Sequence, residues 1–151
     1  MSNRPYEATY EPRPGDQARD EELRYQRFLS ALQRAGLGAP RRVESLAVTI
    51  LGALEQRLSG AEARDLNEEL PWPLRDQLRK FERDPRGRPE RFRREELLRR
   101  VGEELGLEPG EAEHAVRTVL QHARQLLSEK EGSDVADQLP RDMQDLWVPA
   151  A

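Results

Sequence analysis

Cysteine is absent from all 151 residues, so the chain has neither a disulfide framework nor a thiolate metal site. Aromatic residues make up only 5% of it and isoleucine occurs once, which leaves no β-branched or aromatic run of the kind strands are built from. The longest apolar stretch, around Leu46 to Leu54, is far too short to span a bilayer. The N-terminus, MSNRPYEATYEPRPGDQARDEE, lacks the apolar core of a signal peptide. These absences lead to the expectation of a cytoplasmic protein without membrane contact. No serine stands in a nucleophile-elbow context and no glycine cluster has phosphate-loop spacing, so no catalytic residue and no cofactor site is expected. Lysine is limited to Lys80 and Lys130 beside 23 arginines, a bias that codon usage explains as well as chemistry does.

What is present is a chain rich in leucine, alanine, glutamate and arginine, good helix formers all. Leu, Ile, Val and Phe number 32, and 31 of them lie between Leu23 and Trp147. Residues 1–22 contain none of the four, but carry Pro5, Pro12, Pro14 and Gly15. Such a segment cannot bury enough apolar surface to offset its chain entropy and is expected to be a disordered tail. Residues 23–147 are expected to form a single all-α domain.

That domain is written twice. LSGAEARDLNEELPWPLRDQL, residues 58–78, returns 69 residues later as LSEKEGSDVADQLPRDMQDLW, with seven identities in 21 positions. Ser59 with Glu62, and Ser128 with Glu131, form S-x-x-E capping boxes that start a short helix in each copy. Pro71 and Pro140 end that helix and suit the first position of the next. The matched aspartates read as solvated helix surface. The same offset relates Leu97, Leu98 and Val101 to Phe28, Leu29 and Leu32, and Pro109 to Pro40. Each copy therefore spans four helices, giving two tandem repeats at about 23–80 and 92–147 with a connector at 81–91. A first helix from Glu21 carries Tyr25, Phe28, Leu29 and Leu32 on one stripe and stops near Gly36 and Gly38. The two long helices, Val43 to Leu58 and Ala112 to Leu127, keep apolar residues at helical spacing and are expected to bury against each other. In each half the last short helix buries its apolar face, Leu74 with Leu78 and Met143 with Leu146 and Trp147.

The segments FRREELLRRVGEELGLEPGEAEHAVRTVLQHARQLLS and DVADQLPRDMQDLW, with RFLSALQRAGL and LAVTILGALEQRLSGAEARDLNEELPWPLRDQL in the first half, resemble the bacterial family called domain of unknown function 2267. The resemblance covers about residues 23–147. It implies a tandem all-helical fold and brings no catalytic residues.

Three constellations invite a functional reading. Glu111 and His114 form an E-x-x-H pair, but their counterparts Arg42 and Ser45 supply no second half-site for a metal. His122 lies on an apolar stripe between Val119 and Leu126, where a packed core-edge imidazole is expected. Residues 79–100 hold ten bases and five acids in a chain whose formal net charge is -4. Arginines interleaved with Phe81 and Phe92 suit phosphates and bases, whereas i, i+4 pairs such as Glu95 with Arg99 and Glu96 with Arg100 account for much of the charge without a ligand. The expectation is therefore a non-catalytic interaction module with a protein partner or self-association, and no small-molecule ligand, metal or cofactor. The alternatives are a nucleic-acid-associated protein using residues 79–100 and an enzyme whose carboxylate chemistry the spacing does not locate. Candidate contact residues are Arg86, Arg88, Arg91 and Arg93 in the connector, and Trp72. The counterpart of Trp72 is Arg141, so the fold itself does not demand an apolar side chain there.

Overall fold

Leucine-rich stripes at helical spacing, with proline and glycine between them, dictate helices joined by short turns, and these form. The computed structural model describes residues 14–149, which contain helices and turns and no strand. Helices α1 (Pro14–Arg34), α2 (Pro40–Arg57), α3 (Gly60–Glu69) and α4 (Trp72–Leu78) precede the connector. Helices α5 (Arg94–Leu105), α6 (Pro109–Arg124), α7 (Glu129–Gln138) and α8 (Gln144–Trp147) follow it. Single 3-10 turns cover Arg79–Phe81 and Arg141–Met143. α2 and α6 start at Pro40 and Pro109, and α3 and α7 follow Ser59 and Ser128, all at the 69-residue offset.

Local chemistry sets most of the boundaries. α1 and α5 end where a glycine turns left-handed, Gly36 at φ 87° and Gly106 at φ 68°. In each case the next N–H reaches back across the turn, Leu37 to the Leu32 carbonyl and Leu107 to the Gly102 carbonyl, which satisfies orphan carbonyls in a Schellman motif. Leu70 and Leu139 are extended before their prolines, as the pyrrolidine ring requires. Pro71 itself is the N-cap of α4 rather than its first residue, and Pro140 leads into a 3-10 turn instead of an α-helix.

The first helix departs from expectation. It starts at Pro14, not Glu21, so residues 14–22 of the expected tail are helical. The reason is tertiary: Glu21 accepts the backbone N–H of Trp72 at 2.8 Å and pairs with Arg75 at 3.6 Å, while the Ala18 carbonyl faces the Trp72 indole N–H at 3.4 Å. A polar N-terminal stretch is thus held by α4, a partner that its own composition does not reveal. Residues 1–13, with Tyr6 and Tyr10, lie outside the described residues.

The helices cross between halves throughout. α1 packs on α2, α4 and α6; α5 packs on α6 and on α2; α2 meets α6, and α3 meets α7. Leu32, Val43, Ile50, Leu51, Leu54, Val101, Val116, Val119 and Trp147 are among the residues of one continuous core. Each such side chain contributes roughly 1.5–3 kcal/mol by leaving water. Corresponding junctions use different chemistry at the same place: the Tyr25 hydroxyl donates to Glu44, and 69 residues on Arg94 pairs with Glu113 at 3.0 Å.

Candidate functional site

The connector is a fixed loop. Gly60 N–H donates to the Gly87 carbonyl at 2.9 Å, Gly87 N–H to the Asp84 carbonyl at 2.7 Å, and Glu90 N–H to the Gln56 carbonyl at 2.8 Å. Arg83 donates to the Glu55 carbonyl at 2.7 Å and to the Leu58 carbonyl, satisfying the C-terminal end of α2. Gly60 is required here, because a Cβ on it would stand 1.9 Å from the Asp84 carbonyl oxygen. The loop so held presents the four arginines singled out in the sequence. Arg86 is tied to Asp84, at 3.6 Å, with its side chain 92% exposed. Arg88, Arg91 and Arg93 are exposed and make no ion pair among the described residues. Nearby arginines differ: Arg99 and Arg100 share Glu96, whose carboxyl their hydrogen bonds hold down at about 2.

Trp72 is 40% exposed, and its indole edge leans on α1 through Ala18. Among the described residues no hydrogen bond joins it to the connector arginines. Trp147, by contrast, is fully buried and donates its indole N–H to the Gly132 carbonyl at 2.8 Å. Glu111 is used as a helix cap, accepting the Glu108 N–H at 2.9 Å, and His114 is exposed; the two side chains line one cleft with Gly38 and Arg42. His122 is half-buried, its Nδ1 2.8 Å from the Thr118 carbonyl, as expected of a core-edge imidazole.

The main departure lies where α3 meets α7. Both serines cap as expected, Ser59 Oγ accepting from Glu62 N–H at 3.1 Å and Ser128 Oγ from Glu131 N–H at 3.2 Å. The return half of each capping box is missing. Ser59 N–H donates instead to Gln138 Oε1 at 2.8 Å, and Ser128 N–H to Glu69 Oε1 at 2.7 Å. Gln138 and Glu69 occupy matching positions, so each half caps the other's helix, the reciprocity of an isologous contact within one chain. Glu62 and Glu131 are thereby released from capping and turn toward one another.

Glu131 is 5% exposed and Glu62 9%, and the Oε2 of each has no hydrogen-bond partner among the described residues. Burial first, and then the adjacent Glu62 carboxyl, push the Glu131 carboxyl well above the usual carboxylate range. Asp65, one turn along α3 and exposed, brings a third carboxylate, with one oxygen of each residue within 4.8 Å of the others. A second buried carboxyl lies apart from this group. Glu55 is fully buried in α2 and accepts from Asn67 Nδ2 at 3.2 Å, and burial raises it to about 8 against the pull of Asn67 and Arg83.

Sequence reasoning missed the Glu62–Glu131 pair because S-x-x-E is complete as a local motif, which left nothing unsatisfied to notice. The available signal was that both glutamates sit three residues after a serine, 69 positions apart. No helix among the described residues is long and apolar enough to cross a membrane. A search of curated proteins finds no match to the chain. Residues 25–146 match the family described as "Uncharacterized conserved protein (DUF2267)". That span runs from within α1 into α8, and the chain belongs to the DUF2267 family.

Proposed function

We propose that the chain is a cytoplasmic, non-catalytic interaction module that binds an acidic protein surface through Arg86, Arg88, Arg91 and Arg93. The observation that carries this reading is the contrast within the connector: its backbone is hydrogen-bonded to α2 and α3, while these four arginines stay exposed and three of them make no ion pair among the described residues. A loop fixed before contact loses little further entropy on binding, and unpaired arginines speed and orient association with a negative partner. The nucleic-acid reading of residues 79–100 needs Phe81 and Phe92 free to stack on bases. Phe92 is buried with the Arg100 guanidinium 4.3 Å from its ring centroid, and the Phe81 ring occupies the space beside Gly52.

The test is affinity capture with the intact chain and with a variant carrying serine at all four positions. A protein retained by the wild type, released by moderate salt, resistant to nuclease and lost from the variant supports the reading. Equal retention by both chains defeats it, and recovery of a nuclease-sensitive species would favour the nucleic-acid alternative.

A further inference from the structure

We propose that Glu62, Glu131 and Asp65 form a binding site for a hard divalent cation, of the Mg²⁺, Mn²⁺ or Ca²⁺ class, between α3 and α7. The three carboxylates offer an all-oxygen donor set with no nitrogen or sulfur, which suits hard cations and not zinc or copper. One oxygen of each lies within 4.8 Å of the others, the spacing that donors about 2.1–2.5 Å from a common centre produce.

Clusters of acids are common on helix surfaces, and two observations separate this one from them. Oε2 of Glu62 and Oε2 of Glu131 are buried with no donor among the described residues, in residues more than nine-tenths removed from solvent, and each carboxylate places one oxygen in the cluster. A buried carboxylate oxygen without a donor is destabilising unless a proton or a cation meets it. The second observation is the exchange of caps. Glu62 and Glu131 each have a local acceptor role ready, the N–H of their own serine, and the fold fills both roles from the opposite half with Gln138 and Glu69. The two glutamates most easily satisfied by their own helices are those left facing each other.

The neighbouring cation does not relieve them. Lys130 Nζ is held at 2.8 Å by Asp134 and its side chain is 85% exposed. Asp65 keeps one side of the site open to solvent, giving an ion a way in and room for the water ligands that these cations retain. An ion there would bridge the first and second halves at the point where their short helices meet, adding its binding energy to their association.

The experiment uses the full chain after dialysis against chelator. Thermal unfolding is followed during titration with MgCl₂, MnCl₂ and CaCl₂, with NaCl at matched ionic strength as control. The expected result is a saturable rise in Tm for at least one divalent ion, with a midpoint in the range of about 10⁻⁵ to 10⁻³ M. Glu62→Gln with Glu131→Gln should abolish it, and Asp65→Asn, at an exposed position, should weaken the midpoint about tenfold. Terbium supplies a direct readout if the double variant does not fold: the Trp147 indole is bonded to Gly132, next to Glu131, and should sensitise bound Tb³⁺ in the wild type. That signal should fall in Asp65→Asn and be displaced by the active divalent ion. No divalent effect beyond NaCl would overturn the proposal and leave the pair holding a proton. An equal rise in wild type and a folded double variant would overturn it as well, by placing the ion elsewhere.

Discussion

The backbone N–H of Ser59 donates to the side-chain carbonyl of Gln138, 79 residues further along the chain. The matching contact of Ser128 with Glu69 runs the other way. Each half therefore completes the helix start of the other, and a local motif becomes a tertiary joint.

Removing one side of that joint tests its strength. Gln138→Ala should destabilise the protein by about 1–2 kcal/mol, the usual value of a helix cap or a partly buried hydrogen bond. Glu69→Ala, at the more exposed end, should cost about 0.5–1 kcal/mol. Urea unfolding of both variants checks this. A larger loss at Glu69 than at Gln138 would contradict the assignment.

Glu55 predicts a pH dependence of stability. Its folded carboxyl titrates at about 8 against an ordinary 4.5, raised first by burial and slightly by Glu82, and lowered by Asn67 and Arg83. Between those values the folded chain binds the extra proton, so stability falls as pH rises. The contribution is fully present below about 4.5 and lost above about 8, at up to about 1.4 kcal/mol per pH unit. Glu55→Gln should flatten this slope and raise Tm at pH 9. An unchanged profile would show that Glu55 is not the titrating group.

The two tryptophans should respond differently. Trp147→Ala empties a fully buried site and removes a hydrogen bond to the Gly132 carbonyl, which should cost about 3–5 kcal/mol. Trp72→Arg puts the residue found 69 positions later at a site 40% exposed and removes the hydrogen bond to the Ala18 carbonyl, which should cost about 1 kcal/mol or less. Chemical denaturation of both variants distinguishes the roles. A loss beyond about 2 kcal/mol at Trp72 would make it a core residue.

Gly60→Ala should push the connector off α3. The added methyl group would overlap the Asp84 carbonyl, a backbone atom that cannot swing aside, with a cost of about 1–3 kcal/mol. Limited proteolysis should then cut residues 82–93, a segment expected to resist cleavage in the wild type while its backbone hydrogen bonds hold it.

Separating the halves at Gly87 tests whether they depend on each other. α1 with α6, α5 with α2, α2 with α6 and α3 with α7 all make contacts that cross the cut. Fragments of this size bury too little surface alone, so each should show little cooperative helix and a mixture should regain it. Sharp independent melting of either piece would refute this.

Most of the fold was legible because helices are specified within a few residues. Leucine stripes placed α2 and α6, glycines ended α1, and the serine pairs started α3 and α7. Trp147 read correctly as core from its spacing with Met143 and Leu146. The arginines of the connector were visible as charge, though not as the side chains of a loop held in place by Arg83 and Gly60.

By itself, then, the sequence determined the helical class, the order and limits of nearly all the helices, and which faces are apolar, since propensity, caps and periodicity act over one or two turns. Only the tertiary structure decided where α1 begins, because residues 14–22 are held by Trp72 and Arg75 of α4. It alone decided the partners of Ser59 and Ser128, and with them the fate of Glu62 and Glu131. A backbone donor takes the best acceptor that packing brings within about 3 Å, and an acceptor 79 residues away leaves no trace in the local spacing.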